Sequence, residues 1–285
     1  MSTLEVIPFS EPLAERLAGP PTGTVLFWLG QAGFAIASAG RLVLIDPYLS
    51  DSLARKYRGR AFPHERMMPP PLAIGDLGPV DLVLVTHHHT DHMDPETLAP
   101  IAAANAQCRF VVPRASSGEA TRRIGVGSDR LIALDATDTV EPLPGFTVTA
   151  IRAAHETLER SPEGHHRFLG YVFATGGARL YHSGDTVPFE DLAAEVSALA
   201  PTVALLPVNG RRAELTAAGI AGNLTLAEAC QLAGAIGAKH LIAHHYGMFA
   251  FNTLEPAIID RAAMEAGCAV DIHRARTAVE YRLSN

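Results

Sequence analysis

The chain has 285 residues, is 48% hydrophobic and 19% charged, and carries a formal net charge of −7. That length buries a sizeable core, and the acidic balance gives no footprint for nucleic acid or an anionic membrane surface. No apolar run approaches membrane-span length, and Met1-Ser2-Thr3-Leu4-Glu5 lacks a basic start leading into an apolar stretch, so neither a membrane span nor a signal peptide is expected.

In chain order, paired strands are predicted first, over 25–28, 33–37 and 41–46, with a turn at Ser38-Ala39-Gly40. Residues 51–78, rich in Arg, Pro and Met, read as a long irregular segment facing a substrate, with Arg58, Arg60 and His64 as minor contact candidates. The apolar run 80–85 predicts a buried strand, and Asp94-Pro95 a helix N-cap followed by the first helical residue. Between them lies Thr86-His87-His88-His89-Thr90-Asp91-His92, which spells His-x-His-x-Asp-His. A chance match to this pattern is on the order of one in a thousand. A loop fixed at both ends directs these side chains into one small volume, and imidazole nitrogens with carboxylate oxygens suit a divalent cation.

A helix is predicted over 95–105, a strand over 109–112, a helix near 118–124, and strands over 130–134 and 146–153. A second hairpin, 170–175 and 178–182 around Gly176-Gly177, leads to Ser183-Gly184-Asp185. Like the first, it begins at Gly-aromatic, ends on an Asp and is followed by an apolar strand, here 203–209, which suggests an internal duplication. The last third alternates: a helix over 225–236 capped by Asn223 or Thr225, a strand over 240–243, a helix over 254–266 ending at Gly267, and strands near 269–273 and 278–283. The expectation is one α/β domain, 1–285, of two packed halves. Cys108, Cys230 and Cys268 are far apart in sequence with no Cys-x-x-Cys, which fits a reducing cytoplasm; Cys108 and Cys230 lie in apolar patterns and read as buried thiols.

Other polar residues fall at predicted strand ends: His155 after the strand 146–153, Asp185 after the second hairpin, and His245 after the strand 240–243. Singly, each is more often an ordinary polar residue than a ligand. Their shared position at C-terminal strand ends, where α/β folds build sites, raises their standing.

The ordered set His87, His89, Asp91, His92, His155, Asp185 and His245 resembles the metallo-β-lactamase fold superfamily over nearly the whole chain. The stretches 28–34, 44–49, 180–185 and 245–249 resemble its L-ascorbate-6-phosphate lactonase branch more closely. The resemblance implies a four-layer αββα sandwich and two metal ions, zinc or manganese foremost, with iron a further option. It implies that His87, His89 and His155 hold one metal, Asp91, His92 and His245 the other, and that Asp185 bridges them, with His244 an alternative to His245. Asp46 would hydrogen-bond a ligand imidazole.

Two divalent cations, Asp91, Asp185 and a bridging hydroxide leave a net charge of about +1, which favours a small anionic substrate. The expected activity is hydrolysis of a lactone or ester bond by that hydroxide, with Asp91 orienting it and a histidine such as His92, or a metal-bound water, returning the proton. Arg211 and Arg212, which follow the strand end Val208-Asn209-Gly210, are candidates to bind a substrate phosphate, and Asn209 is a further substrate-binding candidate. Related lactonases suggest self-association. The alternative is a phosphodiesterase acting on small phosphodiesters or phospholipid head groups. A nuclease, an exported β-lactamase, an oxygen-reducing di-iron protein and a non-catalytic scaffold each lack a supporting feature.

Overall fold

A computed structural model describes residues 3–19, 23–265 and 267–284. The strands in chain order are β1 (Thr3–Pro8), β2 (Thr24–Gly30), β3 (Gly33–Ser38), β4 (Arg41–Ile45), β5 (Leu82–Leu84), β6 (Arg109–Pro113), β7 (Leu131–Leu134) and β8 (Thr139–Leu143). They continue as β9 (Phe146–Arg152), β10 (Leu169–Thr175), β11 (Ala178–His182), β12 (Val203–Pro207), β13 (His240–His244), β14 (Asp271–Arg274) and β15 (Val279–Ser284). One sheet runs β1-β15-β2-β3-β4-β5-β6-β7 and the other β14-β13-β12-β11-β10-β9-β8. The helices are α1 (Leu13–Ala18), α2 (Ser52–Lys56), α3 (Pro95–Ala104), α4 (Ser117–Ile124), α5 (Leu192–Ser197), α6 (Ala213–Ala217), α7 (Leu226–Ala235) and α8 (Pro256–Met264).

Strand β2 shows why the layers form. It is buried along its whole length, so the period-two alternation of side chains feeds two cores at once. Leu26 and Trp28 join Phe34, Ile36, Val43 and Ile45 in the core shared with Tyr171 and Phe173 of the second sheet. Val25, Phe27 and Leu29 turn the other way, against Leu98 and Ile101 of α3 and Ala120 and Ile124 of α4. On the far side, Leu192 and Val196 of α5, Ala229 and Leu232 of α7 and Ile259 of α8 cover the second sheet. The result is an α/β sandwich of four layers, αββα. Each large apolar side chain buried this way contributes roughly 1.5–3 kcal/mol.

The two halves repeat one topology. In both β2–β7 and β9–β14 the first three strands are antiparallel neighbours and the rest are parallel. The register refines the comparison of the two hairpins. Phe34 opposes Ile45 as Tyr171 opposes His182, and the backbone N–H of Asp46 donates to Leu84 as that of Ser183 donates to Leu205. Ser183, not Asp185, is therefore the counterpart of Asp46. The two aspartates come from different positions of the repeat.

Six regular elements were not expected from the sequence: β1, β8, α1, α2, α5 and α6. Both strands lie at sheet edges; β1 is largely exposed, and β8 carries Pro142, which an edge strand tolerates. The segment 51–78 is irregular apart from α2 and a 3₁₀ turn at Ile74–Asp76. Among the described residues no helix is long and apolar enough to cross a membrane.

Candidate metal centre

The His-rich loop leaves β5 and enters α3, whose cap is Asp94: its carboxylate accepts from Glu96 N at 3.3 Å and from Thr97 Oγ1 at 2.6 Å. Within the loop, His92 N and Met93 N both donate to His89 O, at 3.1 and 2.7 Å. Arg123 of α4 donates to the carbonyls of His88 and Met93 at 2.7 and 3.1 Å, fixing the loop from outside.

The second half meets this loop at the same sheet edge. Leu169 N donates to Thr86 O at 3.1 Å, and Tyr171 Oη donates to Val85 O at 2.8 Å. Gly184, at φ +61°, makes the turn into Asp185; a Cβ there would fall 2.6 Å from Leu169 O and 2.9 Å from Thr86 Cβ. Gln31, Asp46 and His245 also adopt positive φ, at 50°, 44° and 62°. Non-glycine residues in that region cost of order 1–3 kcal/mol each and persist where the surroundings over-determine them. Here they ring the cluster.

The loop's His87, His89, Asp91 and His92 come together with His155, Asp185 and His245. Ligand-type atoms lie within 4.8 Å of one another in three sets: His87, His89 and His155; Asp91, His92 and His245; and His87, His92 and Asp185. Asp185 stands between the others, 3.5 Å from His92 Nε2, 3.7 Å from His155 Nε2 and 3.2 Å from His245 Nε2. His245 thus reaches the cluster, whereas His244 turns into the interior and stacks on His182 with centroids 5.0 Å apart.

Hydrogen bonding fixes which nitrogen two of the motif imidazoles, His87 and His92, offer. Asp46 is fully buried and, as a carboxylate, only accepts: from Thr86 N at 2.8 Å, Thr86 Oγ1 at 2.6 Å and His92 Nδ1 at 2.7 Å. Because the Thr86 hydroxyl gives its proton to Asp46, it accepts from His87 Nδ1 at 3.0 Å. One carboxylate therefore places protons on Nδ1 of both His92 and His87. Their Nε2 atoms, and Oδ1 of Asp185, are buried with no hydrogen-bond partner. An orphaned buried polar atom costs about 1–3 kcal/mol, so three of them converging in one small volume fit a bound cation. Two imidazole lone pairs and a carboxylate oxygen suit a divalent metal.

Electrostatics point the same way. Burial, then the neighbouring imidazoles, hold His87 well below the ordinary range and push His89 down to about 3. Burial opposes charge on His92 and His245 too, but Asp185 in each case reverses the outcome and raises them. Burial likewise opposes charge on Asp185, and His245 and His92 overcome it, keeping the carboxyl well below its usual range. Protons held on His92 and His245 would compete with a cation for those nitrogens, so metal binding there would release protons.

A cleft of about 240 Å³ opens over the cluster. Its lining includes His89, Asp91, His155, Asp185 and His245, and also Gln31, which the sequence reading passed over. Gln31 Nε2 donates to Asp91 Oδ2 at 2.9 Å and lies 3.2 Å from His245 Nε2. Segment 51–78 does face the cleft, through Leu53, Lys56, Tyr57 and His64 and not through Arg58 or Arg60. Arg211, Arg212 and Asn209 do not line it. Arg211 is drawn onto Glu228 at 2.6 Å and the carbonyl of Asn223 at 2.9 Å, Arg212 lies 3.7 Å from Glu214, and Asn209 bonds Asn252 and Asn223. Glu228 of α7 thus claims the Arg211 guanidinium, while Arg212 stays exposed near Glu214 of α6.

A solved metallo hydrolase from the archaeon Ignicoccus hospitalis superposes with a TM-score of 0.69 at 19% identity, covering 93% of this chain and 99% of that one. A UPF0173 metal-dependent hydrolase of Polynucleobacter asymbioticus is 31% identical over 212 residues, 68% of this chain and 67% of the relative. Another, from Rubrobacter xylanophilus, is 27% identical over 258 residues, 88% of this chain and 93% of the relative. The Beta-lactamase superfamily domain matches residues 41–246, a span that takes in the whole His-rich loop, His155, Asp185 and His245, and the chain is therefore a metal-dependent hydrolase of the metallo-β-lactamase superfamily.

Proposed function

We propose that this hydrolase is dinuclear and opens a lactone or ester bond in a small anionic substrate. The observation that carries the reading is the pair of side-chain trios with Asp185 between them. His87, His89 and His155 would hold one divalent ion, Asp91, His92 and His245 the other, and Asp185 would serve both. Bound there, such ions polarise a carbonyl and lower the pKa of water towards neutrality. Zinc and manganese suit the donors; iron does too.

The protein's own groups do the rest. Asp46 and Thr86 lock the tautomers that present His87 and His92 through Nε2. Gln31 engages Oδ2 of Asp91, which leaves Oδ1 to accept the proton of the attacking water. His87 and His92 are buried beneath the cleft, while His89, Asp91, His155, Asp185 and His245 face it, so a substrate entering the cleft would meet the cluster on that face. A carboxylate at Asp91 that has taken this proton can return it to the leaving oxygen.

The test is metal analysis of purified protein, followed by hydrolysis of a phosphorylated lactone, a plain lactone and bis(p-nitrophenyl) phosphate with zinc, manganese or iron. Two equivalents of metal and lactone turnover are expected. Turnover of the diester alone moves the protein to the phosphodiesterases, and a single bound metal overturns the dinuclear reading.

A further inference from the structure

The outer part of the cleft is built from residues that the hydrolytic step leaves unused. Lys56 and Tyr57 stand at the end of α2, His64 follows in the same segment, and Phe249 and Phe251 arrive from the chain after β13. Their rings form one continuous wall. Tyr57 stacks on His64 with centroids 4.1 Å apart, and His64 meets Phe249 at 4.9 Å and Phe251 at 4.7 Å edge-on. A polyhydroxylated substrate would need donors and acceptors along such a surface; rings instead favour an apolar or flat group.

Two permanent cations line the cleft, and they differ in availability. Arg123 is committed to Glu119 at 2.6 Å and to two backbone carbonyls. Lys56 is exposed, its ammonium 5.2 Å from the Tyr57 centroid, and it has no carboxylate partner among the described residues, whereas its neighbour Arg55 is paired with Glu96. An ammonium on a flexible stem beside an aromatic wall suits a carboxylate or phosphate carried by an apolar body.

We infer that this wall selects amphiphilic anions: an apolar or aromatic body lies against Tyr57, His64, Phe249 and Phe251 while an anionic substituent reaches Lys56. The inference rests on the hydrolase reading above and names the substrate class of the same cleft. It gives Lys56 the role that the sequence assigned to Arg211 and Arg212.

The experiment is calorimetric titration of the metal-loaded full-length protein with phenylphosphonate and methylphosphonate, with metal content measured alongside. Wild type is expected to bind the phenyl compound about tenfold more tightly, from burial of the ring. Phe251→Ala, and independently His64→Ala, should bring that ratio towards one. Lys56→Met should weaken both phosphonates about 3- to 5-fold, the range of an exposed ion pair, at unchanged metal content. Equal affinity for the two phosphonates in wild type, or no effect of Lys56→Met, overturns the inference. A chain that takes up no metal sinks the hydrolase reading instead, and the phenyl preference with its loss in the variants is still measured on that chain.

Discussion

Asp46→Asn is the sharpest probe of how the centre is assembled. The substitution preserves shape and removes one acceptor, while Asp46 uses both oxygens: Oδ1 accepts from Thr86 N, and Oδ2 from Thr86 Oγ1 and His92 Nδ1. If the new amide nitrogen takes the Oδ1 position, it faces the backbone N–H of Thr86, donor against donor. If it takes the Oδ2 position, His92 must move its proton to Nε2, the atom proposed to hold metal, and the Thr86 hydroxyl loses the acceptor that makes it receive from His87. Either way at least one charge-assisted bond, about 1.5–3 kcal/mol, is lost. At about 1.36 kcal/mol per decade that is one to two orders of magnitude, in line with the roughly 10- to 100-fold typical of groups that orient metal-bound histidines. The assay is competition with a chelator, read by the fluorescence of Trp28. That residue is the sole tryptophan, and its Nε1 donates at 3.0 Å to the carbonyl of Gln31. Metal affinity equal to wild type in a folded Asp46→Asn protein would refute the tautomer argument.

Three further outcomes follow from the geometry. His89→Ala should leave about one equivalent less metal per chain and cut hydrolysis by several orders of magnitude; full activity would contradict a two-metal mechanism. Gly184→Ala, with its Cβ 2.6 Å from Leu169 O and φ at +61°, should cost at least about 2 kcal/mol of stability; an unchanged urea midpoint would show that the turn relaxes freely. Away from the centre, burial and then His240 lower His273 from 6.5 to about 4. A depressed folded pKa stabilises above the unfolded value and loses that contribution as pH falls, so the advantage of wild type over His273→Gln should shrink between pH 6.5 and about 4. A difference that stays constant across that window would exclude the effect.

Much of the centre was legible because its chemistry is local. His87, His89, Asp91 and His92 lie on one short loop, whose flanking strand is read from its apolar run and whose helix start is read from the Asp94-Pro95 cap. His155, Asp185 and His245 needed the idea that strand ends converge, and the repeated topology explains why they do. What escaped depends on contacts between distant segments. Gln31 is an isolated amide with no spacing signal, and its importance emerges only when Asp91 and His245 close around it. The arginines after β12 looked well placed, yet Glu228, at once the third residue of α7 in a capping box with Thr225 and the partner of Arg211, captures one of them. The matched aspartates of the two hairpins were a coincidence of composition that only the strand register exposes.

The meeting of two sheet edges at the cluster has a consequence for the protein's life in a cell. The side chains proposed to share the cations come from opposite halves, His87 to His92 from the first and His155, Asp185 and His245 from the second. On that ligation a bound ion fastens the halves together like a reversible cross-link. Its contribution grows with free metal, to about 4 kcal/mol at a thousandfold excess over the dissociation constant. Scarcity of the metal would then be registered as lost abundance, through opening and proteolysis, as well as lost turnover. Supply of the ion would set how much of this protein survives.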